Sequence, residues 1–351
     1  MPRFEKLALT GVIFLVIGLI LLALITPLNK KTGAPRNILI ASEPKNKEYF
    51  SVKRLRKPFQ FLPIGAYGAE ELLGKLQKHP DYKNQQLDSF NSAQSLHVAF
   101  SVMGYDLDSV SSGKSRVPRL FLVNMPSDIG RINKVKNRKG LFFLTILPLI
   151  VQVNEEIMEE RRRFKRLRKL IQNGFKIKAL DRLWLIVLAE RYKVERYNWK
   201  ALMERVDLIP PSLALAQGAE ESGWGGSRFV QEGNAVFGQW TLGDTQGIVP
   251  AKRDAGKTHR IKKFKSLLDS VRAYALNLNT HRAYHKMRNV RSKLRNKGLY
   301  IQGVRLAKEL NSYSERGQKY VNTLLTIIRA NKLGRLDNAR FAEPHKVISP
   351  I

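Results

Sequence analysis

The chain has 351 residues, 43% of them hydrophobic, which is enough for one substantial core with attached segments. It holds no cysteine, which excludes disulfides and thiolate metal sites. Its 62 Lys and Arg against 29 Asp and Glu give a formal charge of +33, so a polyanionic partner or surface is expected: nucleic acid, anionic lipid or a carboxylate-rich wall.

Leu7 through Asn29 carries no charge, and Leu7–Ile25 is almost wholly apolar, long enough to cross a bilayer as a helix. Arg3 and Lys6 precede it as in a signal sequence, yet no small-x-small cleavage site follows closely. The segment therefore reads as an uncleaved transmembrane signal anchor over residues 7–28, behind a short flank of residues 1–6. Lys30, Lys31, Arg36, Lys45 and Lys47 on its far side outnumber the two preceding cations, which taken alone places the rest of the chain in the cytoplasm. That rule weakens for a long translocated domain, so the chemistry further along the chain decides the orientation.

Residues 29–114 read as a basic tether and partly ordered extension, with a short helix over 66–78 and a turn at Ser111-Ser112-Gly113. Leu141–Val153 is apolar but too short to span a membrane, and it contains Pro148, so a buried helix is expected there. Ile150, Val153, Ile157, Phe164, Leu167 and Ile171 continue it at helical spacing. The opposite face carries Arg161, Arg162, Arg163, Lys165, Arg166, Arg168 and Lys169 and reads as solvated surface, with binding to anionic lipid or wall polymer as the functional alternative. No nucleic-acid module surrounds it, so nucleic acid is not expected as a partner. Residues 115–179 thus form a helical support, and two more helices follow between Leu180 and Arg205.

Pro210-Pro211-Ser212 opens the most informative stretch, since proline is tolerated in the first turn of a helix. A small-residue helix runs to Glu220 and Glu221 and breaks at Ser222-Gly223-Trp224-Gly225-Gly226. A carboxylate at a helix C-terminus sits at the negative end of the dipole, which disfavours ionisation and suits a general acid. Ala214, Gln217 and Gly218 share the face of Glu221 and leave it nearly bare of bulk. Trp224, Phe237 and Trp240 offer flat rings on which sugars stack.

Gln246–Phe264 alternates as a β-hairpin with a polar tip at Arg253-Asp254-Ala255-Gly256-Lys257. His281 and His285 stand four apart on an expected helix. No third ligand is near, so no metal and no cofactor is expected.

Ala216, Ala219, Glu221, Ser222, Gly223, Trp224, Gly225 and Ser227, followed by Asn234, Phe237 and Gly238, resemble the glucosaminidase family, glycoside hydrolase family seventy-three. The family pattern runs A-x-A-A-x-E-S/T-G-W-G-x-S and then N-x-F-G; here one extra residue separates Asn234 from Phe237. Phe264–Tyr274, Asn279–Tyr284 and Leu310–Val321 resemble later family motifs with departures, including a missing tyrosine near Phe264 and Ala273-Tyr274 in place of Asp-Tyr. Tyr313-Ser314-Glu315-Arg316-Gly317, with Arg138–Phe143 and Leu147–Ile150, is similar to the bacterial Bax-type subgroup.

The resemblance implies a mainly α, lysozyme-like α+β catalytic domain over 180–335 with a small β-hairpin lobe, followed by a tail at 336–351. It implies a peptidoglycan hydrolase of the endo-β-N-acetylglucosaminidase type, with Glu221, not Glu220, as the catalytic acid. A hairpin acid is implied as the second group, Asp254 first, with Asp244 and Glu232 behind it. Trp224, Asn234, Phe237, Trp240 and Tyr313 are the implied substrate-binding residues. Peptidoglycan strands are the implied partner, and a single-pass inner-membrane protein with its catalytic domain in the periplasm is the implied location. A lytic transglycosylase, a wall amidase and a non-catalytic wall or membrane binder are the rival readings.

Overall fold

The computed structural model describes residues 61–63, 92–241, 247–250 and 260–342, all within one unit spanning Arg56–Ile351. The expected anchor at 7–28, the helix at 66–78, Asp244 and Asp254 lie outside the described residues.

Ser92 opens α1 (Ala93–Val102) with a capping box, its hydroxyl accepting from Ser95 N at 3.1 Å while its own N–H donates to Ser95 Oγ at 3.3 Å. Asp106 caps the short α2 (Leu107–Ser111) by accepting from Ser109 N at 2.8 Å. β1 (Phe61–Pro63) pairs antiparallel with β2 (Leu120–Leu122).

The spine is α3 (Val135–Gln172), 38 residues and about 57 Å long at 1.5 Å per residue. Nearly every side chain from Leu141 to Val153 is buried, and the stripe Ile157, Phe164 and Leu167 continues the burial. Length and apolarity alone would let this helix cross a membrane, yet 72% of its most apolar window is buried inside the molecule. It is the core helix that the sequence predicts at Leu141–Val153. Pro148 cannot donate to the carbonyl of Leu144, and the buried Tyr105 hydroxyl fills the gap at 3.2 Å.

α4 (Ala179–Arg191) packs along the second half of α3, where Arg163 pairs with Asp181 at 2.8 Å and covers the Trp184 ring at 4.3 Å. α5 (Trp199–Arg205) leads into α6 (Pro211–Ser222), which is buried from Pro211 to Ala219. α7 (Arg228–Gly233), α8 (Leu267–Thr280), α9 (His285–Asn296), α10 (Gly303–Ala307) and α11 (Gln318–Ala330) complete the described helices, with a 3₁₀ turn at Leu333–Asn338. α3, α10, α11 and that turn all pack on α6.

The close packing has two visible devices. A Cβ on Gly303 would collide with Ser212 Oγ and stand 2.7 Å from Leu213 N, so only glycine lets α10 touch the start of α6. Pro210 and Pro211 leave the first turn of α6 without a side-chain cap of its own. Asp337 supplies one, accepting from Ser212 N at 2.8 Å and from Gly303 N at 2.9 Å.

Arg161 departs from the solvated face read from the sequence. It is buried, its Nη1 donating to Val206 O at 2.7 Å and lying 3.6 Å from the buried Asp207 carboxylate. Arg295 grips the same carboxylate with two bonds of 2.6 Å, and the fully buried Arg291 donates to the backbone carbonyls of Glu204, Asp207 and Leu208. Burial alone would raise the Asp207 carboxyl, but Arg291, Arg295 and Arg161 together hold it below the ordinary carboxylate range. Burial pulls the Arg291 guanidinium down to about 10.

The hairpin is present in part. Ile248 and Ile261 exchange N–H···O bonds of 2.8 Å each, while the tip lies outside the described residues. Sequence reading gave no hint of the third member: β3 (Trp240–Thr241) pairs with β4 (Arg260–Ile261) on the other side of Ile261. His281 and His285 do not share a helix, because a 3₁₀ turn at Arg282–Tyr284 separates α8 from α9.

Candidate active site

α6 ends at Ser222 and the chain then holds three consecutive left-handed residues, Gly223, Trp224 and Gly225, at φ of 54°, 61° and 81°. Positive φ costs a glycine little but strains a tryptophan, so the turn must be held from outside. Ser222 Oγ does so by donating to Gly218 O at 2.5 Å and accepting from Gly225 N at 2.9 Å. Trp224 N donates to Ala219 O at 2.9 Å, and its ring packs edge-on against Phe143 and Phe142 with Lys139 Nζ 4.6 Å above it.

The locked turn fixes Glu221 one residue before the helix end, half-buried. Burial raises its carboxyl above the ordinary glutamate range. A hydrogen bond from the Tyr320 hydroxyl pulls it back, the neighbouring Glu220 pushes it up, and Arg316 lowers it slightly. The net direction is upward. Glu220 faces elsewhere, its Oε1 2.5 Å from an Arg316 nitrogen. Two adjacent glutamates therefore stand in different surroundings: one paired with a guanidinium, the other shielded among aromatic rings.

Those rings are Tyr274, Tyr284, Tyr313 and Tyr320. Tyr313 stacks on Tyr320 at 5.4 Å and 5° and lies 5.7 Å from Tyr284. Burial raises the hydroxyl of each, and the Glu221 charge adds to the effect in all four. Gln217 ties two of them together: Tyr274 OH donates to its Oε1 at 2.8 Å, and its Nε2 donates to Tyr320 OH at 3.0 Å. The direction of this chain matters. Because Tyr320 oxygen accepts from Gln217, its own proton is free to point at Glu221. The amide of Gln217, four residues before Glu221 on the same helix, so orients the hydroxyl that bonds the Glu221 carboxyl.

The other sequence candidates fall in three places. Phe237 is 2% exposed and stacked on Tyr274 at 3.8 Å and 9°, so it underlies the tyrosine cluster. Asn234 is 7% exposed, left-handed at the end of α7, and its amide donates to Asn124 Oδ1 at 3.0 Å and Phe264 O at 3.3 Å. Trp240 is 64% exposed on β3. Glu232 lies on α7 with Arg228 3.5 Å away. Sequence reading missed Tyr320 and the coupling role of Gln217. A tyrosine 99 residues from the acid gives no local signal.

Among the described residues no three His, Cys, Asp or Glu side chains come together as a metal site. What the geometry offers is one shielded carboxyl, biased toward its protonated form and held by an oriented hydroxyl. That arrangement fits proton donation to a leaving oxygen, as glycosidase-type enzymes require.

Residues 197–333 match the glucosaminidase family, described as mannosyl-glycoprotein endo-beta-N-acetylglucosaminidase. The chain is also 33% identical over 201 residues to the protein named Protein bax of Escherichia coli strain K12, an overlap of 56% of this chain and 70% of that one. No solved structure matches the chain significantly. The chain belongs to the Bax-type glucosaminidase-domain proteins.

Proposed function

We propose that this protein is a peptidoglycan hydrolase that cleaves β-1,4 glycosidic bonds in the manner of an endo-β-N-acetylglucosaminidase, with Glu221 as general acid. The observation that carries the reading is the carboxyl of Glu221, raised by burial at a locked helix end and oriented by Tyr320. Glu221 protonates the glycosidic oxygen as the bond to the anomeric carbon breaks. Asp254 is the proposed second group, activating water from the hairpin, unless the acetamido group of the substrate assists instead. The exposed Trp240 serves as the sugar platform with Tyr313 and Trp224 beside the acid, while Asn234 and Phe237 act from beneath by holding the loop and the tyrosine cluster.

The segment at 7–28 anchors the chain in the inner membrane, with the catalytic domain in the periplasm where its glycan substrate lies. Protease added to spheroplasts then digests the domain, and full protection contradicts this orientation.

Mass spectrometry of muropeptides released by the full chain in detergent tests the reaction. Products ending in reducing N-acetylglucosamine support it. Anhydro ends identify a transglycosylase, freed peptides identify an amidase, and intact strands with retained binding identify a non-catalytic wall protein.

A further inference from the structure

The seven central residues of α4, Leu183–Ala189, are all apolar, so this two-turn stretch presents apolar side chains on every side, a pattern that normally belongs to a helix buried all round. Only one side is covered here. Leu185, Leu188 and Ala189 are buried, while Leu180, Leu183 and Val187 on the outer face are 76%, 56% and 51% exposed. Phe175, in the turn before α4, adds a ring that is 61% exposed. Three aliphatic side chains in one row at helical spacing, extended by an aromatic ring, form a ridge and not scattered exposure.

The turn before α4, α4 itself and the loop after it are cationic: residues 173–200 hold seven Lys and Arg against three Asp and Glu. Two of the three acids already face arginines: Asp181 is 2.8 Å from Arg163 and Glu190 is 3.8 Å from Arg196. Lys176, Lys178 and Arg182 are exposed at the N-terminal end of the ridge.

We propose that the outer face of α4 docks on an anionic phospholipid surface, its aliphatic row lying below the headgroups and the neighbouring cations reaching the phosphates. The chemistry selects this occupant. A hydrophilic glycan or nucleic acid satisfies the cations but leaves the aliphatic ridge in contact with water. A second copy of the same face covers the ridge but sets two cationic surfaces against each other. Only an interface that is apolar within and anionic at its edge rewards both features. The proposal does not depend on the glycosidase reading.

Because the chain has no cysteine, a single Leu183→Cys carries one polarity-sensitive fluorophore in the full-length protein. Thr326→Cys, exposed on α11, carries the same label as control. The local readout separates α4 from any insertion at residues 7–28. The expected result is a blue shift with phosphatidylglycerol-containing vesicles and quenching by brominated lipid at position 183 but not 326, much weaker with phosphatidylcholine alone. Equal shifts at both positions or on both lipids overturn the proposal, as does a silent probe at 183. A shift that grows with protein concentration without lipid identifies self-association, and one on lipid-free sacculi identifies a wall contact; both overturn it. If Leu183→Cys fails to fold, Leu180→Cys, on the same row and more exposed, replaces it.

Discussion

At Glu221 the demands of stability and those of the proposed proton donation are opposed. Burial raises its folded-state pKa, so the folded protein binds more protons than the unfolded chain between the two values. The stability contribution is complete below the unfolded value and is lost as pH rises through the folded one. Glu221→Gln is therefore expected to raise the melting temperature at neutral pH, with the gain vanishing in acid, as a calorimetric series across pH would show. Tyr320→Phe acts the other way on the titration. It removes a donor to the carboxylate, so the basic limb of the kcat/KM profile moves to higher pH. It also leaves Gln217 Nε2 without its acceptor, at a cost of about 1–3 kcal/mol. A profile that stays in place would mean that Tyr320 supports the fold but does not hold the acid. The helix end that carries Glu221 was legible in the sequence, because the helix, its glycine turn and its motif are contiguous. The hydroxyl that bonds Glu221 was not, because Tyr320 reaches it only through tertiary packing.

At the scale of elements, α6 is positioned by contacts that tolerate no added volume. Gly303→Ala places a methyl against Ser212 Oγ and Leu213 N and is expected to cost about 1–3 kcal/mol, read by chemical denaturation. The loss should exceed that of Gly298→Ala only if α10 cannot retreat, since a Cβ at Gly298 meets no atom within 4 Å and pays only for its φ of 65°. The long α3 announced itself because its apolar stripe repeats over many turns, and the structure buries Ile150, Val153, Ile157, Phe164 and Leu167 as that repeat requires. Arg161 was misread as solvated for a physical reason. Its partner Asp207 lies 46 residues away, and charge patterning along one helix cannot reveal a counter-ion from another. β3 was invisible in turn, because two residues show no alternation.

Across the whole molecule, a large excess of positive charge surrounds a few buried carboxylates on which several elements converge. Asp207 joins α3, the loop after α5, and α9. Its pKa is held down, so its stabilisation is present above the unfolded value and is lost as pH falls through the folded one. Asp207→Asn leaves Arg161 and Arg291 buried without their counter-charge and is expected to cost about 3–5 kcal/mol at neutral pH. Circular dichroism melts should show that difference narrowing in acid. Net charge governs association in a different way. With +33 overall, retention on sacculi should fall steeply with salt, while turnover of a small soluble glycan changes little, because exposed charges are screened over about 10 Å at 0.1 M. Equal salt sensitivity of both would show that the chemistry itself depends on the long-range field.

In the proposed reaction Glu221, and not its neighbour, donates the proton. Turnover of peptidoglycan by Glu221→Gln and Glu220→Gln, measured side by side in the full chain with folding verified by circular dichroism, tests it most directly. Glu221→Gln is expected to lose about 10²–10⁴-fold in kcat, the usual contribution of a positioned general acid. Glu220→Gln, which removes a half-exposed pair with Arg316 and the smaller upward push of the Glu220 charge on Glu221, is expected to fall far less. A folded Glu221→Gln that retains wild-type turnover, or a Glu220→Gln that loses more, would exclude Glu221 as the proton donor.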